Sequence, residues 1–521
     1  MGIIQRMNRE ELQIPKEVSE ILGKLSDAGF KAYIVGGCVR DLLRGEKPKD
    51  WDITTSAKPE EIQKIFPDSF YENKFLTVTA KTGSDEPSLK EVEITTFRAE
   101  GKYTDKRHPD EIRFAETLEE DLSRRDFTIN AIAMALSKVK SQKPKDAAKN
   151  SFSHSSLVFS QGRELIDLFG GQDDLESKLI RAVGEPEKRF GEDALRMMRA
   201  VRLATELDFN IEPATFAAIQ KEAGLLNFIA KERIRDELIK ILMTKRARYG
   251  IELLHEAGLL KFIIPELEEG IGVTNRPKIF TIWEHNLKAL DYAPKADFPL
   301  DVRIAALLHD VGKPRTKGPM KNNEWTFYGH DVVGSRMSLE ILERLHFPRD
   351  MIEKIAKLIR WHLFRYESEE ATTDSSVRRL IRRVGYENMS DLVKLRICDR
   401  MGMDVPKAVP YRLRHFQFRV EKILKEEEAP TPKILKVNGE DIMKILGIPP
   451  GPKIGRIIEV LMQDVLDDPS KNNSGDLESR IKGLGKLSDD ELVKIAEVAE
   501  SKVELVKDEK ISELKAKYWV K

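Results

Sequence analysis

Residues 35–56, VGGCVRDLLRGEKPKDWDITTS, decide how the first part of the chain folds. Val35 closes a short apolar run, KAYIV, of strand length. Gly36 and Gly37 permit a sharp turn, and CVRDLLRG continues with helical spacing. WDITTS has the β-branched content of a second strand. On it Asp50 and Asp52, two residues apart, point to one face while Trp51 packs on the other. Two carboxylates a few ångströms apart repel unless a cation lies between them. All-oxygen ligands suit Mg2+, which bridges protein carboxylates to nucleotide phosphates. The Gly36–Gly37 turn opens a helix and offers backbone N–H groups to phosphate oxygens, with Arg40 one turn further in. Strand, glycine turn, helix and paired aspartates in this order point to a triphosphate bound with Mg2+. Glu93, in the strand VEITTF, is a possible third carboxylate.

Working outward, residues 11–136 alternate helical and strand patterns: EVSEILGKLSDAGF reads as a helix, KAYIVGG, WDITTS and VEITTF as strands. The expected fold class is α+β, with a small mixed sheet in the head. Residues 137–162, rich in Ser and Lys, read as a mobile insertion. From 163 onward strand signals nearly vanish, and DALRMMRAVRLATEL and KERIRDELIKILM carry helical periodicity. EEEAPTP at 426–432 marks a boundary before a charged helical end.

Composition narrows the class. The chain has 521 residues, 40% hydrophobic and 34% charged, enough for several cores. No apolar run reaches the ~18 residues of a membrane span and the start lacks a signal-peptide core, so a cytoplasmic location and no membrane partner are expected. Cys38 and Cys398 make no metal spacing and are expected to stay reduced. The 88 basic and 88 acidic residues cancel, which excludes a generally sticky nucleic-acid binder but leaves room for a local basic surface.

In GEDALRMMRAVR, Asp193, Arg196, Arg199 and Arg202 step by three along an expected helix. Such spacing is usually a solvated, ion-paired face. Asp193, however, offers only acceptors and Arg196 only donors. As a fixed pair they match the edge shared by cytosine and adenine, an amino group beside a ring-nitrogen acceptor. Uracil and guanine would face them acceptor to acceptor and donor to donor, a strongly discriminating mismatch.

GGCVRDLLRGEKPKDWDIT, DLSRRDFTINAIAM (121–134) and the block from LIDLFGGQDDLESK to ATELDF (165–209) together resemble the class II tRNA nucleotidyltransferase and bacterial poly(A) polymerase family over roughly residues 20–240. The resemblance implies transfer of nucleotides to an RNA 3′ end, with Asp50 and Asp52 catalytic and holding two Mg2+ ions. It implies that Glu192, Asp193 and Arg196 form an amino-acid template for CTP and ATP, with Arg199 and Arg202 holding the nucleotide. Arg125 and Asp126 match positions contacting the nucleotide's phosphate or sugar, supported by Arg124 and Asn130.

Further on, WEHN, ALLHDVGKP, FYGHD and LRICDR resemble HD-domain metal-dependent phosphohydrolases. His285, His309, Asp310 and Asp399 match the metal ligands, and His330 and His362 match accessory histidines. Imidazole with carboxylate suits Mn, Ni or Zn. His154 sits in the insertion, and His255, His346 and His415 have no acidic partner in sequence context. KILKVNGEDIMKILGIPPGPKIGRIIEVL is similar to the family's tail, where Lys453 and Arg456 are candidates for tRNA contact. The organisation expected is head 1–136, insertion 137–162, helical neck 163–270, HD domain 271–425, tRNA-binding tail 426–475 and charged end 476–521.

The function this implies is template-independent addition of CCA to the 3′ end of tRNA from CTP and ATP, with an HD-type phosphohydrolase activity. Rival readings are a poly(A) polymerase, an enzyme adding only CC or only A, and an HD phosphohydrolase with an RNA-binding head. Full CCA addition is favoured because EDALR is complete and because EGKYTDKRHPDEIRF (100–114) resembles the family's flexible loop associated with A addition. Two departures stand out: NKFL before the Thr-Val of NKFLTVTA, where the family more usually has glycine, and the 137–162 insertion.

Overall fold

The computed structural model describes residues 13–72, 77–99, 113–136, 157–159, 163–274, 280–322, 324–366, 372–428 and 435–520. The NKFL departure, the loop at 100–112 and most of the 137–162 insertion lie outside the described residues. The chain divides into two compact units, Met1–Ile359 and Arg360–Lys521, and the division falls inside the stretch expected to form one HD domain.

The head is built on a mixed sheet. Its strands, in chain order, are β1 (Ala32–Val35), β2 (Asp52–Thr55), β3 (Ser69–Glu72), β4 (Thr77–Lys81) and β5 (Glu91–Thr96). A short pair, β6 (Arg98–Ala99) with β7 (Arg113–Phe114), stands apart. The sheet then takes β8 (Ile132–Leu136), β9 (Leu157–Phe159) and β10 (Arg163–Asp167). Among the described residues it has eight strands in the order β3-β4-β5-β2-β1-β8-β10-β9. Neighbours run antiparallel except β2 and β5, which are parallel with Asp52 opposite Glu93. The head therefore does not end at residue 136. β10 was assigned to the neck by its position after the insertion, but it pairs with β8 along its full length and buries Leu165 completely. β9 lies within the stretch read as insertion and pairs with β10.

Burial follows the sequence pattern. The helix Lys16–Asp27 buries Val18, Ile21, Leu22 and Leu25, an i, i+3, i+4, i+7 stripe. They pack with Ile34, Ile53 and Ile94 from the sheet and Val39 from the helix Gly37–Leu43. Each such side chain contributes about 1.5–3 kcal/mol when fully buried. Trp51, 3% exposed, joins the same core, so the chain ahead of β2 is pinned. Past Pro186 helices dominate, including Leu195–Leu207, Lys231–Met243, Ile282–Lys295 and His330–Arg344. In the second unit the helices Asp374–Val384, Met389–Gly402 and Tyr411–Glu428 precede an end piece whose core includes Ile442, Ile457, Leu461 and Ile481. No described helix is long and apolar enough to cross a membrane.

Candidate active site

Gly36 links β1 to the helix Gly37–Leu43 with φ of 84°, a conformation costly for any residue with a side chain. A Cβ there would meet Arg125 Nη1 at 3.0 Å and Asp52 Oδ2 at 3.2 Å. The turn thus lets backbone, a cation and a carboxylate converge. Arg40 folds back over Gly37 and donates to Asn130 Oδ1 at 2.9 Å and to Asp41 at 2.8 Å.

Asp50 and Asp52 do not share a strand: β2 begins at Asp52, and Asp50 stands exposed in the bend before it, with Trp51 anchored between. Glu93 is Asp52's neighbour across the parallel ladder, so the two side chains leave the same face, about 4.8 Å apart in backbone terms. Burial pushes the Asp52 carboxyl up to about 6; Arg125 opposes this, and the negative fields of Asp50 and Glu93 add to it. Three carboxylates grouped in an all-oxygen setting, two of them raising the proton affinity of Asp52, are the donor set a hard divalent cation stabilises. The residues present therefore fit a bound cation.

Behind this face lies an arginine-carboxylate lattice. Asp121, fully buried, accepts from Thr54 Oγ1 at 3.3 Å, the Arg98 backbone N–H at 3.1 Å and Arg124 Nη2 at 2.9 Å, and lies 3.5 Å from Arg125 Nη2. Burial works to raise its carboxyl, but Arg124 and Arg125 hold it below its ordinary value. Asp126 accepts from Asn130 Nδ2 at 3.1 Å, the Phe127 N–H at 2.8 Å and Arg199 at 2.7 and 2.8 Å. Despite burial, Arg199 and Asn130 hold it well below the usual carboxylate range. Asp121 is a member the sequence reading missed; its signal was its i, i+3 and i, i+4 spacing to Arg124 and Arg125.

The motif expected to read the base differs from its expected form. The helix Pro186–Glu192 ends at Glu192, and Asp193 is extended (φ −143°, ψ 104°). The next helix begins at Leu195, whose N–H donates to Asp193 Oδ1 at 3.0 Å. Asp193 therefore stands at a break rather than on the helix of Arg196, Arg199 and Arg202, because its short carboxylate accepts from the backbone two residues on, in a turn just ahead of the new helix. Its other partner is Arg233, on Lys231–Met243, which donates to both oxygens at 2.7 and 3.3 Å. Arg196 bonds Glu192 Oε2 at 2.7 Å and the Arg124 carbonyl at 2.9 Å, while Glu192 also takes Arg189 at 2.8 Å. Arg202 points away from this group, to Glu237 at 2.7 Å and Glu206 at 3.0 Å. Sequence alone gave no hint of Arg233, Arg189 or Glu237 as partners.

A second cluster lies in the first unit. His285 Nε2 and His309 Nε2 are 3.0 Å apart, and they lie 3.3 and 3.4 Å from Asp310 Oδ2. His330 Nε2 is 3.4 Å from Asp310 Oδ1. His309 Nδ1 and His330 Nδ1 are fixed by the carbonyls of Ala306 (2.9 Å) and Phe327 (2.7 Å), which turns the Nε2 atoms of both rings inward as ligands. Burial works to raise the Asp310 carboxyl, but Lys313, 2.5 Å away, and the two histidines hold it well below the usual range. Inward imidazole nitrogens around one carboxylate fit a divalent metal. Gly312 permits the packing, since a Cβ there would lie 2.4 Å from the His330 carbonyl.

His362 and Asp399 belong to the second unit. Both are buried, and Asp399 accepts from Arg396 at 2.6 Å. In the tail, Lys453 donates to the Leu487 carbonyl at 2.9 Å and so ties its own helix to the turn ahead of the last helix; Arg456 is half-buried. Two histidines expected to lack acidic partners have them: His255 with Glu268 at 2.6 Å and His346 with Glu232 at 2.7 Å. Cys38 and Cys398 are buried free thiols.

Comparison with known proteins agrees with this arrangement. Residues 32–181 match the poly A polymerase head domain, 208–271 the probable RNA and SrmB-binding site of polymerase A, and 282–401 the HD domain. The A-adding tRNA nucleotidyltransferase of Deinococcus radiodurans is 33% identical over 83% of this chain and 91% of its own. The CCA-adding enzyme of Lactococcus lactis is 30% identical over 91% and 99%. The crystal structure of the Bacillus stearothermophilus CCA-adding enzyme in complex with CTP is similar with a TM-score of 0.56 and 27% identity, over 90% of this chain and 98% of that one. With the glycine turn, the carboxylates of β2 and β5 and the broken EDxxR helix in place, the chain belongs to the tRNA nucleotidyltransferase family and is a nucleotidyltransferase with an HD domain.

Proposed function

We propose that the protein adds CCA to the 3′ end of tRNA, taking CTP and ATP in turn without a nucleic-acid template. The observation that carries this reading is the pairing of one transfer centre, Asp50, Asp52 and Glu93, with one base-reading element, Asp193 and Arg196, held beside it by the lattice from Arg124 to Arg199. Asp193 is fixed through Arg233 and Arg196 through Glu192, so each presents its polar edge without relying on the other. An acceptor and a donor held on separate supports match cytosine and adenine alike.

In transfer, Arg40 and Arg125 orient the triphosphate over the Gly36 turn, and Arg199 sets Asp126 against the sugar or phosphate. Mg2+ held by Asp50 and Asp52 would supply Lewis-acid stabilisation of the α-phosphate and of the attacking 3′ oxygen. The protein's own contribution is placement and a fixed field, with no covalent intermediate. A cytoplasmic site of action accords with this role.

In the first unit, His285, His309, Asp310 and His330 form a metal-dependent phosphohydrolase centre. Mn, Ni or Zn would supply a metal-activated water there. Lys453 and Arg456 are tRNA contacts in the tail.

A partial enzyme is the second reading, because a relative similar over nearly its whole length is an A-adding enzyme. One assay separates them. A tRNA transcript lacking CCA, another ending in CC, and each NTP singly and together are incubated with Mg2+, and product ends are sequenced. Ends stopping at CCA without U or G support the proposal. Extension only of the CC transcript, ends stopping at CC, or long A tails overturn it.

A further inference from the structure

The helix Asp374–Val384 has two unlike faces. Val377, Ile381 and Val384 are buried, an i, i+4, i+7 stripe. Arg379, Arg382 and Arg383, followed by Tyr386 just past the helix, form an exposed i, i+3, i+4, i+7 stripe. Tyr386 is 66% exposed. Solvated helix faces elsewhere in the chain pair their cations one turn apart, as Lys16–Glu20, Arg248–Glu252, Arg349–Glu353 and Lys482–Glu478 do. Here the i, i+3 and i, i+4 neighbours are arginines, an arrangement that destabilises an isolated helix. The helix's own acid, Asp374, is taken by Arg419. Among the described residues no carboxylate pairs with Arg379, Arg382 or Arg383. The Arg383 guanidinium lies 4.9 Å from the Trp361 ring centre, with Arg360 4.6 Å from the same ring.

We propose that this stripe is a docking surface for the phosphate backbone of the tRNA, with Arg379, Arg382 and Arg383 each on a phosphate and Tyr386 against a sugar or base. Guanidinium groups suit bidentate phosphate contact, and an unscreened row of them at helical spacing is complementary to a regularly charged polyanion. The chain's zero net charge sharpens the point, since attraction for RNA must come from local surfaces of this kind. The proposal rests on tRNA being the substrate and adds where the body of the tRNA is held.

The test compares the full-length protein with the triple variant Arg379→Ala/Arg382→Ala/Arg383→Ala and with the matching triple Lys variant. tRNA affinity is measured at several salt concentrations. Each lost phosphate contact lowers the slope of log K against log salt by about 0.7–0.9, so the Ala variant should lose about two units of slope and bind roughly tenfold or more weakly near 0.1 M salt. Its KM for tRNA should rise while kcat at saturating tRNA and KM for CTP and ATP hold. The Lys variant should retain most of the binding. Because the side chains are exposed and mutually repulsive, Tm should stay level or rise. Unchanged affinity and slope in the Ala variant, with normal extension by the wild type, overturn this proposal alone. A wild type that binds tRNA with the expected salt dependence but does not extend it overturns only the CCA-adding reading. No tRNA binding by the wild type overturns both.

Discussion

Asp193 is gripped by Arg233 through both carboxylate oxygens, at 2.7 and 3.3 Å, while Arg196, three residues along, bonds Glu192 instead. The two halves of the proposed base-reading pair are thus set by different supports, and each support can be removed separately.

Arg233→Ala should leave Asp193 free to rotate. The loss of a charge-assisted hydrogen bond is worth about 1.5–3 kcal/mol, or roughly 10–100-fold in kcat/KM for CTP and ATP. Misincorporation of U and G should rise, because an untethered acceptor no longer penalises the wrong edge. Single-nucleotide incorporation kinetics with all four NTPs checks this; a uniform loss with discrimination intact would mean that Arg233 only supports the fold.

Asp50→Ala and Asp52→Asn should each abolish incorporation. The Asp52 carboxyl is raised by burial and by its acidic neighbours, so removing its charge should not lower Tm without divalent cations. What should vanish is the rise in Tm on adding Mg2+. Differential scanning calorimetry with and without Mg2+ reads both, and a preserved Mg2+ shift in Asp52→Asn would place the cation elsewhere.

Asp126→Ala should be far more damaging than its small volume implies. It leaves the partly exposed Arg199 and the buried Asn130 without their shared acceptor, a class of change costing about 1–3 kcal/mol. The pH dependence has a definite sign. Asp126 is held well below its ordinary value when folded, so its contribution is present above the unfolded pKa of about 3.9 and is lost as pH falls towards the folded value. The Tm gap between wild type and Asp126→Asn should accordingly be full at neutral pH and narrow below about pH 4. A gap constant down to pH 3 would contradict the assignment of its stabilising charge.

His309→Ala and Asp310→Ala should spare CCA addition while removing bound transition metal and any phosphoester hydrolysis. Metal content by mass spectrometry and hydrolysis of a 2′-nucleotide with Mn, Ni or Zn added are the readouts. Loss of nucleotide incorporation in either variant would instead mean that the cluster supports the head.

What was legible in the sequence was what is local. β1, the glycine turn, the Gly37–Leu43 helix and β2 each announce themselves within a few residues, and the HD dipeptide came with its histidines in order. Asp193 shows where local reading stops. GEDALRMMRAVR has unbroken helical periodicity, and only an aspartate able to bond its own backbone two residues on marks the break. Arg233 and Glu237 sit on another helix, and no periodicity connects them to Asp193 and Arg202. β10 was missed for a related reason: RELID gains strand identity from its partner β8, across an insertion that hides the pairing. The second-unit arginine stripe lay in plain view, but its meaning depends on which faces of the helix are buried.

The register of β2 against β5 has a consequence of its own. Two of the three acidic groups at the proposed transfer centre are spaced by main-chain hydrogen bonding, so the ruler of the site is the peptide ladder, and a change of packing among the apolar side chains beneath it leaves that ruler unchanged. A slip of one residue would turn Glu93 through the sheet and bring a neutral neighbour to the front. The head should therefore tolerate many exchanges of one apolar side chain for another, yet give way to a single-residue insertion between β2 and β5 that forces the strands out of step.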